Sequence, residues 1–580
     1  MKFRILSFLF FFSLVCTQTF GQDRFVNPEI EDILTGNYNV EDFYDDPTSS
    51  GKETIKNNII QGVMPSKLKE YLLELNVFKT RNTGSDTLGD MGIGAARDYA
   101  LAKFESFAQN SPSPLITSFF EFTAPICGVT RHKNICAIQP GTDTDDPSII
   151  IIEAHLDSRC ATVCDVDCDA HGMEDNASGS ALVLELARVM SRQKYDHTIV
   201  YMLTVGEEQG LVGADALARY CKQKGIDVKA VFNNDIVGGI ICGETSSGPS
   251  CPGPGHVDSL QVRMFSQAFE SRQLSRWIKE QYREELEQVV DVPMLLTIMS
   301  LEDRIGRGGD HIPFREQGFR AMRFTSANEH GNANTSDPDY HDRQHTSDDI
   351  LGLDTDNDGE LDSFFVDFNY LARNAVINGL SSSFTAIGPE PVTFEGFIDG
   401  ESILINIIDD NDYMNYRIYS RSSMQDFDTT YVVEGSKSGY IVKNPGSNFA
   451  QFISVASVDE DGIESMISRE EFVNMVLSNG VPVELEVPEK KIATLFQNRP
   501  NPFDEATSIG YMIHRDLGSS KVQIAIRTTD GELIKRLPAS AAEGVNEVVY
   551  NHGYNQEGTF IYTLEVDGRP IESKMMVFAY

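Results

Sequence analysis

The chain has 580 residues, enough for several domains with cores of their own. Hydrophobic content of 41% and charged content of 23% are those of globular protein. A net charge of −39, from 48 basic and 87 acidic residues, excludes the basic footprint of a nucleic-acid binder and describes a strongly solvated surface.

Residues 1–21 have the pattern of a secretory signal peptide. Lys2 and Arg4 make a basic start, residues 5–15 are apolar but too short to span a bilayer, and Thr19-Phe-Gly21 supplies a cleavage site before Gln22. Ser-Leu-Val before Cys16 lacks the small residue of a lipid-attachment site. No later segment is long and apolar enough to span a membrane. Residues 22–60 are polar and acidic and read as a prosegment or arm without a core of its own.

From Ser66 the pattern turns helical, with Leu68, Tyr71, Leu72 and Leu75 at spacings of three and four. Arg81-Asn-Thr-Gly84 reads as a turn, and 95–108 as a second amphipathic helix. Strand-like segments at 116–124 and 134–138 follow. Three apolar runs come next, each ending in acidic or imidazole side chains. Ser148-Ile-Ile-Ile-Ile-Glu-Ala leads to His155-Leu-Asp157. Thr198-Ile-Val-Tyr-Met-Leu-Thr-Val leads to Gly206-Glu207-Glu208. Lys229-Ala-Val-Phe-Asn-Asn leads to Asp235. Such runs predict strands buried on both faces. Glu174-Asp175-Asn-Ala-Ser-Gly179 opens a helix whose small residues suit a close approach to the sheet. The alternation of strands and helices predicts an α/β fold with a parallel sheet. A long helical stretch is expected over 257–290, a strand over 319–325 and a last helix over 364–380.

Nine cysteines are present, and the eight after Cys16 lie between Cys127 and Cys251. In an exported chain these predict disulfides. Cys127 with Cys136, and Cys242 with Cys251, flank short loops that each pair could close. Cys160, Cys164, Cys168 and Cys221 remain. The spacing Cys160-x3-Cys164-x3-Cys168-x2-His171 also fits a structural zinc, but disulfides are preferred in an oxidising compartment.

Ligands in an open parallel sheet bind beyond the carboxyl ends of its strands. His155, Glu207, Glu208 and Asp235 are therefore expected at one rim. Zinc takes imidazole nitrogen and carboxylate oxygen where Cys is absent, and two zinc ions about 3.5–4 Å apart need a bridging carboxylate. The candidates are His155, Asp175, Glu208, Asp235 and a downstream His. Asp157 is placed to accept the second N–H of His155. Glu207, beside a candidate ligand, has the position of a general base. Taken singly, Asp175 is also a good helix cap and Glu207-Glu208 an ordinary solvated pair. Their conjunction at the ends of successive core elements points to a metal hydrolase.

The ordered set His155-x-Asp157-Ser, Asp175-Asn-Ala-Ser-Gly179, Glu207-Glu208-Gln-Gly-Leu211-Val-Gly213, Asp235, Gly309-Asp-His-Ile-Pro-Phe314 and His345-Thr-x-x-Asp349 resembles the di-zinc aminopeptidase family of the bacterial leucyl aminopeptidase type. The resemblance covers roughly 60–385. It implies a zinc exopeptidase fold, a mixed but mostly parallel sheet flanked by helices, for a catalytic domain at 61–385. It also implies peptide substrates and two zinc ions, one held by His155, Asp175 and Asp235, the other by Asp175, Glu208 and His345. Glu207 would be the base, and Asp157 would orient His155. Of His341 and His345, the Thr-x-x-Asp pattern selects His345. His341, His330, His311 and His171 are read as structural or surface residues. Asp310 matches a family position near the metals without an assigned role. Glutaminyl cyclases share this fold and most of these ligands, and an inactive peptide-binding module is a third alternative.

After a linker at 381–391 alternating segments dominate, predicting two C-terminal all-β sandwich domains. Residues 388–475 resemble fibronectin type III through Tyr416-Arg-Ile-Tyr-Ser-Arg421 and the segment 452–465. Residues 490–580 resemble the C-terminal sorting domain of type IX (Por) secretion through Gln497-Asn-Arg-Pro-Asn-Pro-Phe503, Thr507-Ser-Ile-Gly-Tyr511 and Gly558-Thr-Phe-Ile-Tyr562. That likeness implies the type IX machinery as a partner and passage across the outer membrane. Asp354-Thr-Asp-Asn-Asp-Gly359 resembles the first half of a calcium loop, with Asp354, Asp356 and Asp358 as ligands. Its twelfth position is Phe365 and not an acid, which favours a solvated acidic loop.

Overall fold

In the computed structural model the described residues are 23–241, 257–267, 269–299, 302–303, 308–327, 343–399 and most of 402–578. The expected signal peptide, the Cys242–Cys251 pairing, His330 and His341 lie outside them.

Among the described residues, the part before residue 388 is built on one nine-stranded sheet. Its strands are β1 (Arg24–Phe25), β2 (Ile116–Ile126), β3 (Val129–Gln139), β4 (Ile149–His155), β5 (Thr198–Thr204), β6 (Val228–Asn234), β7 (Gln261–Phe265), β8 (Leu295–Ile298) and β9 (Ala321–Ser326). Their spatial order is β1-β2-β3-β5-β4-β6-β9-β7-β8. The centre, β5-β4-β6-β9, is parallel, and β3 and β7 join it antiparallel. Every residue of β4, β5 and β6 is buried, which is why these strands appear as unbroken apolar runs.

Helices cover both faces: α1 (Glu29–Leu34), α2 (Lys52–Gly62), α3 (Pro65–Leu75), α4 (Gly92–Asn110), α5 (Ser178–Met190), α6 (Val212–Lys224), α7 (Phe269–Glu285), α8 (His311–Glu316) and α9 (Phe368–Ile387). α5 buries twelve of its thirteen residues against the sheet and its neighbours, so its polar face is almost lost. Gly179 explains how it comes so close. A Cβ there would meet the Asn234 carbonyl oxygen at 2.2 Å.

Two expectations are corrected. The stretch expected at 22–60 is not an arm without a core: its Phe25, Ile30, Ile33, Leu34, Ile55 and Ile59 join the main core, and β1 pairs with β2. The stretch 257–290 is not one helix. It contains β7, which pairs with β8 and β9, and only then α7.

Beyond α9, the described residues between Thr393 and Val473 form seven strands in sheets of three and four. Phe394, Ile405 and Ile407 of the first share a core with Tyr416, Ile418, Ile453 and Val455 of the second. Strands from Ala493 to Phe578 again form sheets of three and four around a separate core. No helix among the described residues is long and apolar enough to cross a membrane.

Candidate metal centre

β4 delivers His155 at its last residue, and β6 delivers Asp235 one residue beyond its end. Glu207 and Glu208 follow β5 after a left-handed Gly206. Asp175 precedes α5, in a distorted turn joined to Asn176 by a cis peptide bond. Asn176 ties this turn to the sheet. Its Oδ1 accepts the N–H of Gly179 at 3.0 Å and of Ile236 at 3.2 Å, and its Nδ2 donates to the Asn234 carbonyl at 2.8 Å. His345, with a left-handed φ of 59°, comes in from a loop far along the chain.

These side chains converge. Ligand atoms of His155, Glu207 and Asp235 lie within 4.8 Å of one another, as do those of Asp175, Glu208 and His345. The Asp175 carboxylate joins the groups: Oδ1 is 3.1 Å from His155 Nε2, and Oδ2 is 3.0 Å from His345 Nε2. His155 Nε2 is 3.5 Å from Asp235 Oδ1, and His345 Nε2 is 3.1 Å from Glu208 Oε2. Yet His155 Nε2, Asp235 Oδ1 and Glu208 Oε1 are buried without a hydrogen bond. Orphaned buried atoms of this kind are costly unless a further group meets them. An imidazole nitrogen and carboxylate oxygens are a donor set that fits zinc. The Glu207 side chain is 11% exposed, against 3% for Glu208 and 4% for Asp235, so the expected base is the more open of these carboxylates.

Charge and burial oppose one another here. Burial works to raise the Asp175 carboxyl, but the two imidazoles beside it hold it well below the usual range. Burial also opposes charge on Asp235, and the fully buried Arg323 guanidinium, 3.3 Å from its Oδ2, keeps it low. His155 is pushed the other way. Burial favours its neutral form, but Glu207, Asp175 and Asp235 raise it well above an ordinary histidine. Burial raises Glu207 well above an ordinary glutamate.

Asp157 works differently from expectation. The His155 Nδ1 lies 3.0 Å from the main-chain oxygen of Asp157 and 3.7 Å from its Oδ1. The backbone, and not the carboxylate, thus orients the ring. The carboxylate instead accepts the N–H of Glu207 on Oδ1 and of Glu208 on Oδ2, both at 3.3 Å, and the Thr83 hydroxyl at 3.0 Å. It fixes the turn that carries the base and a ligand.

The segment 156–172 between His155 and Asp175 is fastened from several sides. Disulfides join Cys127 to Cys164 and Cys160 to Cys168. This corrects the hairpin pairing: Cys136 sits in register opposite Ser118 on β3, buried and free, as is Cys221 on α6. Arg81, fully buried, donates from Nε to the Leu156 carbonyl at 2.7 Å and from Nη2 to the Gly172 carbonyl at 2.8 Å, clipping both ends.

Several participants went unassigned in the sequence. Arg81 looks there like a turn residue, and Thr83 gives no signal. Arg159 directly follows the His155-Leu-Asp157-Ser motif. Its Nε donates to Glu208 Oε2 at 2.7 Å, and its Nη2 lies 2.7 Å from His345 Nδ1. Asp310 accepts from the Thr204 hydroxyl, and its other oxygen is buried without a partner. His171 and His311 are structural as expected, bonding the main-chain oxygens of Asn76 and Glu302. In the acidic loop, oxygens of Asp354, Asp356 and Asp362 come together. Asp358 is not in that group and accepts the Glu360 N–H.

The sequence model described as peptidase family M28 matches residues 134–360. A probable zinc metalloprotease of Leptosphaeria maculans is 30% identical over 349 residues, covering 55% of this chain and 74% of that protein. Among solved structures, the LapA aminopeptidase of Legionella pneumophila aligns with a TM-score of 0.40 at 19% identity, over 58% of this chain and 75% of that one. A glutaminyl cyclase of Fimbriiglobus ruber aligns with a TM-score of 0.36 at 15% identity, over 55% of this chain and 94% of that one.

Proposed function

The chain belongs to peptidase family M28 and is a zinc-dependent hydrolase, and on that premise we propose that it is an exported aminopeptidase releasing N-terminal residues from peptides. The observation that carries this reading is the Asp175 carboxylate, shared between two groups of buried donors that include three orphaned atoms.

In this reading His155, Asp175 and Asp235 would hold one zinc, and Asp175, Glu208 and His345 would hold the other. When bound, the pair supplies Lewis-acid polarisation of the scissile carbonyl and a lowered pKa for the attacking water. Glu207 takes the proton of that water and passes it to the leaving amine. Asp157 keeps Glu207 and Glu208 at fixed spacing through their main-chain N–H groups.

Export is supported by the signal-peptide pattern at 1–21, by the likeness of 490–580 to a type IX sorting domain and by the two disulfides. In the same reading 388–475 is a fibronectin type III-like spacer between enzyme and sorting domain.

The test is one assay series on aminoacyl anilides and N-terminal glutaminyl peptides, with and without chelator. Hydrolysis should vanish on chelation and return with zinc. Glu207→Gln should keep its zinc while kcat falls roughly 10²–10⁴-fold. Cyclised product without hydrolysis would identify a cyclase, and no turnover with zinc bound would identify a binding module. Hydrolysis that survives chelation would remove the metal assignment.

A further inference from the structure

We propose that the outer face of α7 is an interaction surface whose permanent partner is the chain's own first β-domain, residues 393–473. The metal-binding part and that domain then form one cooperative unit, and the second β-domain, residues 493–578, stays outside it. This gives the first β-domain a role beyond a spacer, whatever substrate the centre accepts.

α7 is buried on two sides. Leu274, Ile278 and Tyr282 join the main core, and the Ser271 hydroxyl accepts the N–H of Ala321, the first residue of β9, at 3.1 Å. On the other side Gln273, Arg276 and Glu280 are spaced by three and four, the pattern of a solvated helix face. Yet they are at most 5% exposed. The first β-domain supplies partners there. Gln273 Nε2 donates to Ser454 Oγ at 2.6 Å and to the Ser468 carbonyl at 3.0 Å. Arg276 Nη1 pairs with Glu470 at 2.9 Å, both side chains 4% exposed, and Arg421 meets the same carboxylate from within the β-domain. Toward the helix end, Gln281 Nε2 donates to Glu464 at 3.1 Å, and Arg417 Nη1 donates to Glu284 Oε1 at 2.6 Å.

Domains in contact through a small polar interface move relative to one another by default. Two further observations oppose that here. Tyr419, Ala456, Ile463, Met466 and Ile467 of the first β-domain belong to the same apolar core as β4, β5, β6 and α5. The domain is also fastened at its entry. Lys229, 2% exposed, donates from Nζ to the Gly388 carbonyl at 2.8 Å and lies 2.8 Å from Glu390 Oε1. Lys229 is the second residue of β6, the strand that presents Asp235 beyond its other end. The second β-domain has a core of its own. A cooperative unit extends as far as its shared core and buried pairs, so the boundary falls after the first β-domain and not before it.

Hydrogen exchange of the full chain, read segment by segment with mass spectrometry, tests this in two arms. The first compares zinc-loaded with chelated protein. A ligand that binds only the native centre stabilises every segment that opens with it by the same amount. Zinc should raise protection in Asn415–Arg421 and Gln451–Val458 by a factor within about threefold of that in β4, β5 and β6. Ala506–Ile513 and Gly558–Val566 should stay within about twofold of their chelated values. The second arm needs no metal. Glu470→Ala takes the carboxylate from between Arg276 and Arg421, and protection should fall roughly 100-fold or more in α7, in β4–β6 and in the first β-domain together. Gln281→Ala, a smaller loss should the first variant not fold, should lower the same segments together by about tenfold. Zinc protection that stops before residue 388 overturns the proposal, as does zinc protection that reaches the second β-domain. So does a fall confined to 393–473, or no fall at all, in the variants, which would mark the first β-domain as a module hung on a linker. Zinc that protects no segment would sink the metal reading, and the variants would still decide the docking.

Discussion

The Oδ2 of Asp349 accepts the main-chain N–H of Asp175 at 3.0 Å, across 174 residues of sequence. Its Oδ1 takes the neighbouring N–H of Glu174 at 2.8 Å. One buried carboxylate thus holds the turn that presents the shared Asp175, and the same short loop supplies His345. Replacing Asp349 with Ala should release that turn. Zinc affinity is expected to fall roughly 10–100-fold, the usual consequence of removing a group that supports a ligand. Asp349→Asn should fall between, because its amide oxygen can accept while its NH2 cannot. Competition with a chromogenic chelator measures the effect. Unchanged affinity in Asp349→Ala would mean that the Asn176 contacts alone hold the turn.

Asp157 should act on the base more than on His155. Its carboxylate accepts from the Glu207 and Glu208 main chain, while His155 Nδ1 leans on its carbonyl oxygen, which no side-chain change removes. Asp157→Asn places an NH2 against N–H groups. The expectation is a kcat lowered about 10–100-fold with zinc affinity changed less. A larger loss of zinc affinity than of kcat would return the carboxylate to the role of orienting the imidazole.

The parts legible in the sequence share a physical cause. β4, β5 and β6 are buried on both faces, so they show as continuous apolar runs, and the polar residues that end them stand out. The convergence of Asp175 and His345 needed the likeness to a known family, because periodicity says nothing about which distant loops meet. The core role of 23–62 was hidden by acidic composition, although Ile30, Ile33 and Leu34, and again Ile55 and Ile59, have helical spacing. β7 was lost because a five-residue strand directly before a helix blurs into its pattern. Disulfide partners were illegible in principle. Cys127 lies nearer in sequence to Cys136, but β3 turns that residue into the core, and Cys164 comes from a loop.

The Cys127–Cys164 bridge closes a span of 37 residues and ties the turn between β2 and β3 to the segment that carries Arg159. Loop-closure entropy assigns such a bridge roughly 4 kcal/mol. Cys127→Ser with Cys164→Ser should therefore lower Tm clearly. Cys160→Ser with Cys168→Ser, across a separation of 8, should lower it less. Scanning calorimetry at fixed zinc concentration compares the two pairs. An equal or reversed order would show that strain or local packing, and not chain entropy, sets the contribution.

Glu464 gives a pH-dependent test of how the first β-domain docks on α7. Its Oε2 accepts from Gln281 Nε2 of α7 and pairs with Arg417, both at 3.1 Å, and its Oε1 accepts from the Tyr419 hydroxyl. Burial pushes its carboxyl up to about 7, against the pull of Arg417. A carboxyl raised on folding binds its proton more tightly in the native state. Its contribution is therefore complete below about pH 4.5, the unfolded value, and is lost as pH rises through about 7. Glu464→Gln keeps the neutral form at every pH. Relative to wild type, the variant should gain stability as pH rises from about 4.5 to 7, by at most about 3 kcal/mol. Urea unfolding at several pH values measures the difference. A flat difference across that range, or one that grows toward acid, would show that Glu464 stays ionised against Arg417 and that the junction is held by an ion pair.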